Sequence, residues 1–394
     1  MATTTLSGGV VGKVNAMKVC RMRWVALKLG LAVMAVEAAE HDDIAINLDR
    51  YVKQAVEKGL PGASLAVIIN GDIRLLRGYG VTKVGGDEKV NSATVYPLAS
   101  ISKTFASAAV SILVDQGVIE WDTHVVPYLD DVTFSDKTLG KAVTLRHVLS
   151  HTSGLVPQAY SDLLEDNVRY GRILQMMPRV KFVCDPGKCY GYQNIVYNLA
   201  ADMLTLAAGM DYATFVREQM FIPLGMQHAS YGLDGLKETQ NKVTPHVRVK
   251  AGWAAVKPAP YYYRVPAAAG VNASAQDLAK WMLAQFGYYP TVLNPDLLAI
   301  MHKPHIRANQ YRYRAKLSNV YYGLGWRTFD YKEIRGFVHH GGWVRGIRTE
   351  MLFNRHTQTG MVFLTNSETV IAREIVLRFL DLYARYFKPA PSTQ

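Results

Sequence analysis

Strand-like runs stand at both ends of this chain, and helical patterns fill the stretch between them. From Ile44 the segment AINLDRYVKQAVEKG repeats apolar residues at helical spacing and stops at Gly59 and Pro61. Two strand-like runs follow, ASLAVIIN (63–70) and IRLLRGYG (73–80), joined by Gly71 and Asp72 as a hairpin. From about 100 to 270 the pattern is helices broken by loops, including NIVYNLAADMLTLAAG and YATFVREQMF. Strands return in GFVHH, TEMLFN and GMVFLTN, and IAREIVLRFLDLYARYF closes the chain as an amphipathic helix. The expected class is therefore α+β: an antiparallel sheet built from both chain ends, flanked by helices, with an all-helical region inserted. Residues 40–99 and 271–394 are the two parts of the α/β domain, and 100–270 is the mostly helical region.

Residues 1–39 read as an export signal. Five basic residues precede the first acid, Glu37, and the apolar run WVALKLGLAVMAVEAA ends in small residues suited to cleavage. A periplasmic or otherwise exported location follows as the expectation, with peripheral association to an anionic envelope surface suggested by the net charge of +12. Nucleic acid is not expected as a partner. The nearest basic, Tyr-rich stretch, HIRANQYRYRAK (305–316), reads as a solvated loop, and no basic helix interleaved with stacking aromatics occurs. The hydrophobic share of 49% against 19% charged belongs to a folded enzyme and excludes disorder.

The strongest chemical signal is PLASISKTF (97–105). Ser100 and Lys103 are three apart at the start of a predicted helix, so their side chains share a face. A serine hydroxyl needs a base to become a nucleophile, and lysine serves only when burial or nearby positive charge lowers its pKa. Ser102 lies about 200° around the helix from Ser100 and faces elsewhere. Downstream, Tyr192-Gln193-Asn194 sits in a loop before a helix, and His340-Gly341-Gly342 lies at a strand end.

With these three motifs in this order, the chain resembles the serine β-lactamase-like and penicillin-binding protein family, which includes class C β-lactamases, DD-carboxypeptidases, D-aminopeptidases and related esterases. TLRHVLSHTSGL (144–155), FIPLGM (221–226), NASAQDLAKW (272–281), YGLGW (322–326) and FLTN (363–366) resemble further landmarks of that family, so the likeness covers nearly everything after residue 44. The resemblance implies that Ser100 is the acylated nucleophile and Lys103 its base or proton relay. Tyr192 would share the proton traffic, its phenolate character helped by cationic neighbours, and would protonate the leaving group or activate the deacylating water, while Asn194 would hold Lys103 and the substrate amide. The backbone N–H groups of Ser100 and Trp343 would form the oxyanion hole. Whether Lys103 or Tyr192 is the base stays open. The third motif departs from the Lys-Thr-Gly usual in class C β-lactamases. His340 supplies a charge for a substrate carboxylate only when protonated, with an ordinary pKa near ~6.5. Gly341 and Gly342 leave the strand edge bare beside a substrate backbone.

The implied function is a serine hydrolase acting through an acyl-enzyme on D-alanyl peptides, β-lactams or related amides. The substrate is a small molecule or a peptide, cell-wall peptide among them. A carboxylesterase on the same scaffold, or a covalent penicillin-binding protein with little turnover, are the alternatives. No cofactor is expected, since neither a Rossmann nor a Walker glycine pattern occurs. No metal is expected either: His147 and His151 have zinc-like spacing, but Val148 stands where H-E-x-x-H requires Glu, and both read as structural. His339 alternates to the other sheet face from His340, as a packing or surface residue. Ser274 and Asp277 read as a helix-capping pair. Cys184 and Cys189 flank Asp185-Pro186-Gly187-Lys188, where a turn can bring them within disulfide range; a bond in an oxidising compartment and two free thiols both remain open.

Overall fold

A computed structural model describes residues 44–308 and 316–387. The expected export signal, and most of the basic stretch at 305–316, lie outside the described residues. Along the chain come the strands β1 (Gly62–Ile69), β2 (Asp72–Gly80), β3 (Val95–Pro97), β4 (Ser230–Tyr231), β5 (His246–Val249), β6 (Gly252–Ala255) and β7 (Val271–Ser274). After them come β8 (Ile306–Arg307), β9 (Ser318–Tyr322), β10 (Arg327–Tyr331), β11 (Ile334–Val344), β12 (Ile347–Asn354) and β13 (Thr359–Thr365). The main sheet has the order β2-β1-β13-β12-β11-β10-β9-β8, and every pairing in it is antiparallel. β1 from one end of the chain lies against β13 from the other, as the sequence pattern requires.

Why the ends must meet is visible in β1. Its run GASLAVII is buried at every position, so it needs cover on both faces. Ala66 and Ile68 enter the core shared with the helical region, while Leu65, Val67 and Ile69 enter a second core beneath the terminal helices. The helix over 44–57 contributes Ile44, Leu48 and Val52 to that second core, and the helix Ile371–Tyr386 contributes Ile375, Phe379 and Tyr383. Each buries one apolar stripe and leaves its charged face in water.

Two details differ from the sequence expectation. The β1–β2 turn is Asn70-Gly71, one residue earlier than expected, with φ of 53° and 83° and Ile69 opposite Asp72. Two consecutive left-handed residues match the twist of a hairpin, and Asn-Gly is the pair that tolerates them. The sheet is also longer than expected, because SNVYY and RTFDY flank the YGLGW segment as β9 and β10. Gly325 between them has φ +76°, and a Cβ there would stand 2.7 Å from the carbonyl oxygen of Lys103. That close approach docks the β9–β10 turn on the central helix Ser102–Asp115. The helix is buried almost throughout, with Phe105 stacked on Trp281 at 4.1 Å between centroids. Ser274 and Asp277 form the expected capping box at the start of Ala275–Gln285.

Candidate active site

Ser100 sits in a short 3-10 turn, Ala99–Ile101, that leads into the Ser102–Asp115 helix. Ala99 has φ +50°, a left-handed conformation unusual for a residue with a Cβ and often retained where function requires it. The turn is held from both sides: Leu98 N–H donates to Val271 O, and Leu98 O accepts from Thr349 Oγ1 at 2.9 Å. Ser102 points away and accepts from Val271 N–H, as its position on the helix predicts. Ser100 remains half-exposed at the floor of a cleft of about 640 Å3.

One turn further, Lys103 is fully buried. Its Nζ lies 2.8 Å from Asn194 Oδ1, 3.0 Å from Ala268 O and 3.3 Å from Ser100 Oγ. Burial, reinforced by the positive charge of Arg327, pushes Lys103 well below the ordinary lysine value. A neutral amine has two N–H donors and one lone pair. Two of the three neighbours can only accept, so the lone pair is left for the Ser100 hydroxyl.

Tyr192 is delivered by the loop that carries the two cysteines, which form a disulfide with Cα atoms 6.2 Å apart. The loop is tied to the HTSGL segment by Gly187 N–H to Thr152 O and Gly191 N–H to His151 O. His151 Nδ1 accepts from Gln193 N–H, and the ring packs against Tyr192 at 4.2 Å between centroids. His147 and His151 therefore share no helical face: the helix ends at Leu149, and His151 follows in a left-handed conformation. The Tyr192 side chain hydrogen-bonds Ser100 and Arg327. Burial outweighs those contacts and keeps its pKa above the ordinary value, so Tyr192 is a phenol where the sequence suggested phenolate character. Tyr190, its neighbour in sequence, also hydrogen-bonds Arg327 and is pushed up to about 12, chiefly by burial.

The far wall is the end of β11. Gly342 lies against the Ser100 turn: a Cβ there would collide with Leu98 O and Thr349 Oγ1. Its pairing with β10 ends at Arg327 opposite His339, so the β11 edge beyond is open among the described residues. Val344 and Ile347 close the β11–β12 turn, and antiparallel alternation then directs the N–H of Trp343 toward that open edge. The Trp343 ring is 55% exposed, with the Arg348 guanidinium 4.8 Å from its centroid.

His340 is placed differently from the sequence expectation. It is fully buried, with Nε2 3.0 Å from the Tyr322 hydroxyl and 3.4 Å from Arg327 Nη1. Burial, with the charge of Arg327 adding, pushes it well below the ordinary histidine value. It is a neutral residue behind the wall and offers no cation to a substrate. The cations that line the cleft are Arg327 and Arg348, neither of which was singled out from sequence. Arg327 directly follows the YGLGW landmark, but a lone arginine after a turn carries no signal of its own. His339 is buried, Nε2 2.7 Å from the equally buried Glu350 Oε2, and it borders the cleft.

A sheet of this topology with a helical insert, and a Ser-Lys-Tyr cluster at their junction, defines the β-lactamase/transpeptidase fold. The Beta-lactamase family profile matches residues 48–385, and the chain belongs to that family, whose members are generally serine hydrolases. Among curated proteins it is 22% identical over 347 residues to Protein flp of Staphylococcus aureus (strain N315), covering 85% of this chain and 66% of that one. It is 25% identical over 303 residues to penicillin-binding protein 4 of Amycolatopsis lactamdurans, covering 74% and 77%. The chain thus spans just under two thirds of the length of Protein flp. In fold it resembles the octameric penicillin-binding protein homologue from Pyrococcus abyssi, with TM-score 0.75 and 22% identity over 86% of this chain and 76% of that one. It likewise resembles EstCE1, a hydrolase with promiscuous acyltransferase activity, with TM-score 0.72 and 16% identity over 87% and 99%.

Proposed function

We propose that this protein is a serine hydrolase that works through an acyl-enzyme on Ser100 and acts on D-alanyl peptides, β-lactams or related amides. The observation that carries the reading is the buried Lys103, pushed well below the ordinary lysine value and within reach of Ser100 Oγ while Asn194 and Ala268 accept from its other N–H groups. Lys103 takes the Ser100 proton as Oγ bonds to the substrate carbonyl carbon. The oxyanion that forms is met by the N–H groups of Ser100 and Trp343. The C–N bond then breaks as the Tyr192 hydroxyl protonates the departing nitrogen, and Lys103 returns a proton to Tyr192. Water releases the acyl group by the reverse relay. Arg327 and Arg348 supply the positive charge for a substrate carboxylate that His340 does not. Similarity to proteins named for penicillin binding supports this substrate class. The Cys184–Cys189 disulfide supports an oxidising compartment such as the periplasm, where cell-wall peptide is at hand.

A carboxylesterase is the second reading, favoured by the neutral His340 at the third motif. Incubation with labelled penicillin, followed by intact mass over time, separates the readings. An adduct that forms and decays with ring-opened product supports amide turnover, a persistent adduct supports a covalent binder, and no adduct supports the esterase. Hydrolysis that survives unchanged in Ser100→Ala refutes the mechanism in every version.

A further inference from the structure

Both residues that flank Tyr192 give their backbone N–H to the same partner. Gly191 N–H donates to the His151 carbonyl oxygen at 2.8 Å, and Gln193 N–H donates to His151 Nδ1 at 3.2 Å. The imidazole lies against the phenol ring held between those two bonds, with centroids 4.2 Å apart. It also packs on Tyr197 and Tyr322, at 4.9 and 4.8 Å between centroids. Tyr197 is itself anchored by its hydroxyl to Lys103 O at 2.9 Å. One buried side chain thus links the Tyr192 loop to the helix that carries Lys103.

His151 holds this place at two local costs. Its φ of +58° is a left-handed backbone that strains a residue with a Cβ, and its Nε2 has no hydrogen-bond partner among the described residues. Glycine would take that backbone freely but offers no side-chain acceptor. Asparagine offers an acceptor but no ring to lie against Tyr192. The Nδ1 contact also fixes the state of the imidazole. Nδ1 accepts from an N–H and so carries no proton, in keeping with the burial that holds the group well below the ordinary imidazole value. Strain that persists beside a reacting group points to a function for the residue that bears it.

We propose that His151 is a positioning residue for Tyr192, fixing its hydroxyl beside Ser100 through the Gln193 N–H to Nδ1 bond and the ring contact. The role rests on the proposed relay, in which Tyr192 protonates the departing nitrogen, and His151 acts there only through Tyr192. Without the Nδ1 acceptor the 191–193 backbone loosens, and a displacement of about 1 Å in a reacting group costs about a hundredfold in rate. The penalty depends on the leaving group. A β-lactam nitrogen must take a proton to depart, whereas p-nitrophenolate leaves without one, so a misplaced Tyr192 slows the first reaction and spares the second.

Acylation of the full chain under kcat/KM conditions, with labelled penicillin and with p-nitrophenyl acetate, tests the role. Ethyl butyrate, whose alkoxide also needs a proton, replaces penicillin if penicillin does not acylate. His151→Phe, which keeps a ring and loses the acceptor, should lower the penicillin rate about a hundredfold and the p-nitrophenyl acetate rate less than about fivefold. His151→Asn, which keeps an acceptor and tolerates the left-handed backbone, should recover about tenfold of that loss. Added to Tyr192→Phe, His151→Phe should cause no further loss. Equal losses on both substrates, no recovery in His151→Asn, or a further loss in the double variant overturns the role. Should His151→Phe fail to fold by circular dichroism, His151→Asn decides, by the same split and the same lack of further loss beside Tyr192→Phe. A Tyr192→Phe variant without the split refutes the relay and the role together. A split in Tyr192→Phe that the deciding His151 variant does not share overturns the role alone.

Discussion

Replacing Arg327 with glutamine isolates what its charge does to Lys103. The Arg327 Cζ lies 5.5 Å from the Tyr192 ring centroid and Lys103 Nζ lies 4.8 Å from the same point, so the two groups are at most ~10 Å apart. At an effective dielectric of ~20, two unit charges at ~10 Å repel by ~1.7 kcal/mol, and more if they stand closer. Arg327 destabilises the protonated form of Lys103, so removing it raises the Lys103 pKa. The base must be neutral to act, and the acidic limb of the pH profile should therefore move to higher pH. Burial is the larger cause of the Lys103 shift and is untouched by the substitution, so the limb moves by only part of that shift. The rate of Ser100 acylation by labelled penicillin under kcat/KM conditions, followed by mass from pH 5 to 10, reads the limb directly. A fall of the whole profile with the limb unmoved would mean that Arg327 acts on substrate alone. A limb displaced to lower pH would refute the neutral-lysine mechanism.

Tyr192→Phe should lower turnover by about two to four orders of magnitude, the usual scale for loss of a proton-transfer group, while Tyr190→Phe costs far less. Equal losses would show that the wrong tyrosine has been placed in the relay, and steady-state kinetics decides. Gly342→Ala drives a methyl into the Leu98 carbonyl beside the nucleophile, so acylation should collapse and chemical unfolding should show a loss of about 1–3 kcal/mol. A variant of wild-type activity would mean that the β11 edge does not meet the Ser100 turn. Burial holds His151, His302 and His340 well below the ordinary imidazole value. The unfolded chain protonates all three below pH ~6.5 and the folded chain does not, so their contribution is intact above that pH and is lost as pH falls. Three protons correspond to a slope of up to ~4 kcal/mol per pH unit below pH ~6. Urea midpoints equal at pH 7 and pH 5 would contradict this, and His302→Gln should reduce the slope by about one third.

The sheet was legible because its evidence is local. A run such as GASLAVII, apolar at successive positions and bounded by Pro61 and Asn70-Gly71, has few ways to be satisfied except as a strand covered on both faces. Ser100 and Lys103 were legible for a similar reason, since three residues along one helix bring two side chains together whatever surrounds them. β9 and β10 escaped notice because they are short, half-buried and interrupted by YGLGW, whose Gly325 serves a close approach to the Lys103 turn that no pattern within the segment announces.

Ionisation states were the least legible, and His340 shows why. Its charge depends on burial and on its neighbours, Arg327 and Tyr322 of the β9–β10 hairpin and Lys103 of the central helix, so hairpin, helix and β11 meet only in the fold. The same three-way meeting explains how the site stays coherent without a lysine in the third motif. Arg327 sits beside His340 and discourages its protonation, while itself remaining charged at any pH the protein meets. On the proposed mechanism, a permanent cation in place of a titrating one takes histidine protonation out of substrate recognition, so pH acts on this site mainly through Lys103. On that logic a lysine at position 340 meets the same burial and the same Arg327 charge as Lys103, and the positive charge it retains lowers the Lys103 pKa further. The His340→Lys variant should then show an acidic limb at lower pH than wild type, the opposite displacement to Arg327→Gln. Two limbs moving in the same direction would break the electrostatic account that links Arg327, His340 and Lys103.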